Sequence, residues 1–341
     1  MKKTSPFFSI GVTSFDRNTL LKETLKSIIR QNYKDFEVLV SNDNPKRKIS
    51  NSSLKILDSR VKFINQPENL GERRNMNYML SLSKGRYFTW LADDDLYNPQ
   101  FLEAVYNSII KYNFPSCIFT SYKTGNNILQ RKKQLKIKSE LFTGSEYLKK
   151  YLSRSIKTQG CYGIFEKQYL SRIGGMIKLG NGISAGYKDL PGNVYYPYAD
   201  NWLVIQAGLR EKIVFIDSPL ILYRIHQGSI SLTSTDLAGY FSAQQDLCKK
   251  CLKVFKSRKL RLNFQLYFFL LLKWCAKDFA AVVRRSDQIR MKQIIEYLHF
   301  FMKYMTYLKK PSLYWQMLRI LSSLSINTIL TIGKKKLLMP K

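Results

Sequence analysis

Short apolar runs alternate with amphipathic stretches through the first third of this chain. Phe7-Phe8-Ser9-Ile10-Gly11-Val12, Phe36-Glu37-Val38-Leu39-Val40, Val61-Lys62-Phe63-Ile64 and Tyr87-Phe88-Thr89-Trp90-Leu91 have strand length and the β-branched and aromatic content of buried strands. Between them, Leu20 to Gln31 sets Leu21, Leu25, Ile28 and Ile29 on one helical stripe, and Glu72 to Ser83 reads as a helix closed by Gly85. Repetition of strand, helix and strand predicts an α/β fold, a mostly parallel, Rossmann-like sheet flanked by helices. Ligands bind such sheets beyond the carboxyl ends of the strands. Three loops fall there: Thr13 to Arg17, Asn42-Asp43 and Asp93 to Asp95.

After about residue 115 the alternation loses regularity, and Gly174, Gly175, Gly180, Gly182, Gly186 and Gly192 mark a loop-rich stretch. Val214-Phe215-Ile216 and Leu220-Ile221-Leu222-Tyr223 read as two further strands. From about Leu237 onward Gly and Pro become scarce and apolar residues recur at helical spacing, as at Ile294, Ile295, Leu298, Phe301 and Met302. The expected organisation is an α/β domain over 1–235, with halves of about 1–115 and 116–235, and a helical extension over 236–341. The apolar run Leu266 to Leu272 is cut by Lys273, Lys277 and Asp278, short of the roughly 20 residues that span a bilayer.

Charge changes the picture of the extension. The chain carries a formal net charge of +32, and residues 249–341 hold 21 Lys/Arg against 3 Asp/Glu. Such a balance implies an anionic partner, either nucleic acid or an acidic membrane surface, or else serves solubility alone. No nucleic-acid-binding signature accompanies it, so no nucleic acid is expected. The five cysteines are odd in number and follow no secretory signal, which points to a reducing, cytoplasmic setting. Cys248-Lys-Lys-Cys251 lacks a second pair or a nearby His to complete a zinc site, so it reads as structural.

The densest chemistry is Asp93-Asp94-Asp95, at the end of an apolar strand. Side chains alternate along extended backbone, so neighbouring carboxylates there can approach one oxygen-loving divalent cation from different sides. An exposed acidic turn is the other reading of the same three residues. Other positions are also double-valued. Asn42 and Asp43 suit a turn as well as a ligand, Arg73 and Arg74 suit phosphate or solvated helix surface, and Gly174 and Gly175 suit a tight turn. His226 stands beside Arg224, where an imidazole serves a metal, a phosphate oxygen or a satisfied interior contact. His299 lies in an aromatic helical stretch with no motif around it.

Taken in order, these segments resemble the family 2 inverting glycosyltransferases of the GT-A fold. Ser9 to Arg17 is similar to the family's first strand and nucleotide loop, with Ser14-Phe15-Asp16 departing from its usual pattern. Glu37 to Asp43 is similar to the second strand, and Asn69-Leu70-Gly71 with Asn75 to the following helix start. Leu91-Ala92-Asp93-Asp94-Asp95-Leu96 falls on the DxD region, Ala92 replacing a frequent acid. Ile173-Gly174-Gly175-Met176 looks like the Gly-Gly loop, and Tyr198-Ala199-Asp200-Asn201-Trp202-Leu203 like the Glu-Asp segment, with Ala199 in place of Glu. Leu222-Tyr223-Arg224-Ile225-His226-Gln227-Gly228-Ser229 is close to the Tyr-Arg-x-His-x-x-Ser signature. The resemblance spans about residues 7–232.

The resemblance implies a non-processive enzyme that moves a sugar from a nucleoside diphosphate sugar, a UDP-sugar first, to a glycan or lipid-linked glycan in surface polysaccharide assembly. Thr13, Phe15, Arg17, Asn42, Asp43, Asn75, Asp93 and Arg224 would then bind the donor. Asp94, Asp95 and His226 would hold Mg²⁺ or Mn²⁺, which stabilises the departing diphosphate as a Lewis acid. Asp200 would be the general base on the acceptor hydroxyl; helix capping is its plainer alternative. Gly174 and Gly175 would lie against donor or acceptor. The basic extension would rest on the anionic inner leaflet of the cell membrane as a peripheral anchor. A nucleic-acid-binding protein and a non-catalytic glycan-binding scaffold are the rival readings.

Overall fold

A computed structural model describes residues 5–125, 135–184, 194–226, 234–286 and 291–334. Gly186, Gly192 and Gln227 to Ser229 lie outside the described residues. The first half alternates as the pattern predicts: β1 (Phe8–Ser14), α1 (Asn18–Ile29), β2 (Phe36–Asn42), α2 (Asn51–Leu54), β3 (Val61–Asn65), α3 (Glu72–Leu82), β4 (Tyr87–Ala92), β5 (Leu96–Tyr97) and α4 (Phe101–Lys111). The second half contributes β6 (Cys117–Gly125), β7 (Ser139–Phe142), α5 (Gly144–Leu152), β8 (Ile164–Glu166), α6 (Lys167–Arg172), β9 (Ile183–Ser184), β10 (Val194–Tyr195), α7 (Ala199–Ala207) and β11 (Ile213–Arg224). Four helices complete the described chain: α8 (Leu237–Phe255), α9 (Phe264–Arg285), α10 (Met291–Met305) and α11 (Pro311–Lys334).

The main sheet runs β3-β2-β1-β4-β8-β6-β11-β5, with β7 paired to β11. β1 is parallel to both β2 and β4, and β2 to β3, so these four strands point their carboxyl ends the same way. β8 enters antiparallel between β4 and β6, which makes the sheet mixed. The expected pair of strands around residues 214–223 is one continuous strand. Its register with β6 shifts between Ile216 and Pro219 and again before Ile221. Pro219 has no N–H to give the ladder, so the strand accommodates it with a bulge instead of ending.

Gly85 does not close α3. The helix stops at Ser83, which is extended, and Gly85 is needed because a Cβ there would come within 2.5 Å of the Ser9 backbone nitrogen. One apolar cluster, including Phe8, Ile10, Val38, Leu91 and Val105, lies between the sheet and α1 and α4. Another joins Leu148, Tyr198, Trp202 and Ile205 to Leu247, Phe268, Leu271 and Phe301. The helical extension therefore shares a core with α5 and α7. Cys248, Cys251 and Cys275 are free thiols buried in that core. Among the described residues no helix is long and apolar enough to cross a membrane.

Candidate active site

The carboxyl ends of β1 and β4, the start of α3, the segment before β8, the start of α7 and the end of β11 surround a cavity of about 640 Å³. That is the size class of a small-ligand site. Thr13, Arg17, Glu72, Arg73, Asp94, Asp95, Asp200 and Arg224 line it, together with aromatic rings that include Trp90, Tyr151, Tyr195 and Trp274.

The acidic trio is not an exposed turn: Asp93 and Asp95 are fully buried and Asp94 is 9% exposed. It also divides. Arg17, at the start of α1, pairs with Asp93 Oδ1 at 3.0 Å and with Asp94 Oδ2 at 2.5 Å. The amide of Phe15 donates to Asp93 Oδ2 at 3.4 Å. Burial raises the Asp93 pKa, Arg17 opposes the rise and Asp94 adds to it. Asp94 alone of the three meets His226, whose Nε2 lies 2.9 Å from Asp94 Oδ2.

Asp95 turns the other way. The Arg224 amide donates to its Oδ1 at 2.8 Å and the Tyr162 hydroxyl donates to its Oδ2. Both oxygens are thus committed to holding β11 and the segment before β8 against the loop, and the expected ligand role for Asp95 gives way to an anchoring one. Burial, then the Asp94 charge, raise its pKa well above the ordinary carboxylate range.

Arg224 is likewise a clamp. The residue is 7% exposed, and its side chain donates to the Asp94 carbonyl, to Glu23 and, at 3.3 Å, to the Leu20 carbonyl. The expected reach of its guanidinium to a diphosphate is replaced by this tie between α1 and the acidic loop. Thr24 completes the tie, its hydroxyl 2.9 Å from the Asp93 carbonyl and 2.8 Å from that of Asp95.

Other expected donor contacts sit behind the cavity wall. Asn42 Nδ2 donates to the Arg47 carbonyl at 2.7 Å and to Asn65 Oδ1 at 2.9 Å, a turn-forming role. Asn75 is buried, accepting from Ser41 Oγ at 2.5 Å and donating to the Ser41 carbonyl at 3.2 Å, so it stitches α3 to β2. Asp43 accepts from the Leu70 amide at 2.8 Å; burial pushes its pKa up to about 6, against the Leu70 and Gly71 amides. Gly174 and Gly175 have φ of +85° and +58°, the tight-turn geometry, and carry the chain to Met176, which lines the cavity.

Asp200 is in the first turn of α7, two residues after the N-cap Tyr198, so it is not the capping residue. A carboxylate in a first turn is favoured by the helix dipole. Burial raises its pKa, and backbone N–H groups of Asn201, Gly160 and Cys161 pull the other way. Gly160 is required beside it, since a Cβ there would fall 1.8 Å from the Asp200 carbonyl oxygen. An elevated carboxylate facing a ligand cavity is the property a general base needs.

Glu72 is the carboxylate that motif reasoning passed over. Water reaches its side chain, yet the cavity wall encloses it, and that enclosure together with the nearby Asp200 charge lifts its pKa to about 7. Its signal in the sequence was slight, an acid directly after Gly71, whose φ of +74° opens α3.

Among the described residues, no group of three or more His, Cys, Asp or Glu side chains is gathered as a ready metal site. The donor set still fits a divalent cation. Asp94 offers one hard oxygen at the cavity and His226 an imidazole nitrogen against that carboxylate, and Mg²⁺ and its relatives commonly take one or two protein carboxylates and complete their shell with substrate phosphates and water. The surplus of buried carboxylates beside them favours an added positive charge.

The Glycosyl transferase family 2 model matches residues 9–172. A 107-residue stretch is 35% identical to an uncharacterized glycosyltransferase of Rickettsia typhi, covering 31% of this chain and 33% of that protein. Another, of 93 residues, is 38% identical to the GalNAc(5)-diNAcBac-PP-undecaprenol beta-1,3-glucosyltransferase of Campylobacter jejuni, covering 26% of this chain and 30% of that protein. The chain thus aligns with about a third of the length of these relatives. A solved structure of S. aureus TarS 1–349 in complex with UDP-GlcNAc is 15% identical with a TM-score of 0.48, over 82% of this chain and 83% of that one, a distant likeness. The matched segment contains β1 and the acidic loop and ends just before the Gly-Gly turn, and over that segment, a little under half of the chain, the protein is a family 2 glycosyltransferase in sequence.

Proposed function

We propose that this protein transfers a sugar, with inversion, from a nucleoside diphosphate sugar to a hydroxyl of a glycan or lipid-linked glycan in surface polysaccharide assembly, a UDP-sugar being the first donor to test. The observation that carries the reading is one cavity of about 640 Å³ at the carboxyl edge of the sheet that Asp94 and Asp200 both line, with His226 held on Asp94. In this reading Asp94 and His226 would hold Mg²⁺ or Mn²⁺, which supplies Lewis-acid stabilisation of the leaving diphosphate. Asp200 accepts the proton of the acceptor hydroxyl as that oxygen attacks the anomeric carbon, a single displacement that inverts it. Arg17 keeps Asp93 and Asp94 together, and Arg224, Asp95 and Tyr162 hold the loop in place. Thr13 and Arg17 line the donor end, and Asp43 and Phe15 support the loops beside it.

The names of the relatives support a transferase, and the undecaprenol-linked acceptor of the Campylobacter enzyme supports a lipid-linked one here. The excess of basic residues in 249–341 supports work at the cytoplasmic face of an anionic membrane, at about 1 kcal/mol for each residue near the surface. Metal-dependent hydrolysis of a panel of nucleotide sugars tests the activity, with Asp94→Ala and Asp200→Asn as controls. Hydrolysis that is absent, or untouched by both substitutions and by chelator, overturns the reading. Co-sedimentation with anionic but not with neutral vesicles tests the membrane role.

A further inference from the structure

A second cavity, of about 230 Å³, opens beside the first. It holds the room of about eight waters at about 30 Å³ each, the size class of one monosaccharide. One wall is a single face of α9. Trp274, Asp278, Ala281, Val282 and Arg285 follow at helical spacing and all line it. The opposite wall comes from Tyr195, Tyr198 and Asn201 around the start of α7, and Tyr240 of α8 closes the end.

Three residues, Tyr195, Asn201 and Trp274, line both cavities. The seam therefore runs past the residue directly after Asp200. An acceptor longer than one sugar must present its terminal hydroxyl to Asp200 while its preceding unit lies somewhere, and this seam is where the neighbouring space begins.

The chemistry of the walls suits that unit. Trp274 is held edge-on by Tyr198, ring centroids 5.6 Å apart, and by Tyr151 at 6.3 Å, so its ring is fixed in orientation. A fixed indole offers a flat apolar surface of the kind on which the CH face of a pyranose rests. Arg154, which lines the first cavity, pairs with Asp278 at 2.9 Å and sits over the Trp274 ring, 5.8 Å from its centroid. Both charged groups retain solvent access, at 49% and 28% of the side chain, and together they offer a donor and an acceptor to sugar hydroxyls.

We propose that the C-terminal helices supply an acceptor subsite at the seam of the two cavities, in which one pyranose unit of the glycan packs against Trp274 and hydrogen-bonds to Asp278 in the second cavity, with Arg154 reaching it from the first. The proposal rests on the transferase reading for the direction of the chain and on the cavity for the site. It makes the helical extension part of substrate recognition, independent of any membrane contact.

The test uses the full chain labelled with 5-fluorotryptophan, whose four tryptophans give four fluorine resonances. Trp274→Phe assigns its own signal by loss. Methyl β-D-glycosides of glucose, galactose, N-acetylglucosamine and N-acetylgalactosamine are titrated to about 30 mM, well past a millimolar dissociation constant. The expected result is a saturable shift of the Trp274 resonance with at least one glycoside and a still Trp90 resonance. In Asp278→Asn, whose unchanged Trp90 and Trp202 signals report an intact fold, the apparent affinity should fall about tenfold, as the loss of a charge-assisted hydrogen bond does. A Trp274 signal unmoved by all four glycosides, or moved equally in Asp278→Asn, overturns the proposal. Nucleotide-sugar hydrolysis by the same preparation separates the two readings. Hydrolysis with a silent Trp274 removes the subsite alone, whereas a responsive Trp274 without hydrolysis leaves a sugar site and removes the transferase.

Discussion

The two sides of the cavity are built on opposite principles. Toward β1 and β4 the wall consists of buried charge: Asp93, Asp94, Arg17 and Arg224 are locked into ion pairs and backbone hydrogen bonds. Toward α7 and α9 it consists of rings, with Tyr151, Tyr195 and Trp274 standing over a helical core of Leu, Phe and Cys. Charge taken out of water is costly unless every member finds a partner, which is why the first wall tolerates almost no change of position. Rings cost little to bury and impose orientation by edge contacts, so the second wall is free to vary in shape. A diphosphate with its cation needs the first kind of surface and a sugar face the second.

Substitution at Asp200 should break this division most severely. Asp200→Asn is expected to lower transfer by about 10²–10⁴-fold, the contribution of a positioned base, with donor affinity retained within a few-fold. Steady-state kinetics together with a donor titration check it; loss of both in parallel would assign Asp200 to binding.

Next in size is the anchor. Asp95→Ala leaves the buried Arg224 amide and Tyr162 hydroxyl without their acceptor, and the expected loss of stability is about 3–5 kcal/mol, read from chemical denaturation. A loss below about 1 kcal/mol would mean that the charged wall is not over-determined after all.

Asp43 gives a pH signature. Its folded pKa, about 6, lies above the ordinary carboxylate value, so the ionised folded state is penalised. The penalty is absent below about pH 4, grows as pH rises through the interval and is complete above the folded pKa. Asp43→Asn should therefore match the parent near pH 4 and exceed it near pH 8, by at most about 3 kcal/mol at 1.36 kcal/mol for each pKa unit. Denaturation midpoints across that range decide the sign.

The smallest effect is expected on the ring side. Arg154→Gln removes the partly exposed pair with Asp278, and stability should change by less than about 1 kcal/mol. A larger change would give that pair a structural role equal to the clamps on the charged wall.

How far the sequence could be read follows the same boundary. β1 to β4 and the helices between them declare themselves by local periodicity, and their strand ends bring the acidic loop and Arg17 to one edge by topology alone. The basic, helical character of the extension was equally plain. What eluded reading was the orientation of single groups. Asp95 looks like Asp94 in the sequence, yet it serves β11. Arg224 looks like a phosphate ligand, yet it is spent on Glu23 and two backbone carbonyls. Asp278 read only as an interruption of an apolar run and Trp274 was not singled out, although their spacing of four already placed them on one helical face.

The chain's own order of residues decided which elements form and which chemistry reaches the sheet edge, because helix and strand periodicity and turn preference are local properties. Folding alone decided that Asp93 and Asp94 share Arg17, that Asp95 faces β11, that Glu72 stands near Asp200, and that a helix beginning more than sixty residues after Asp200 lines the same cavity. Each of those depends on which side chains from distant segments meet in a space closed to water, and no local pattern carries that information.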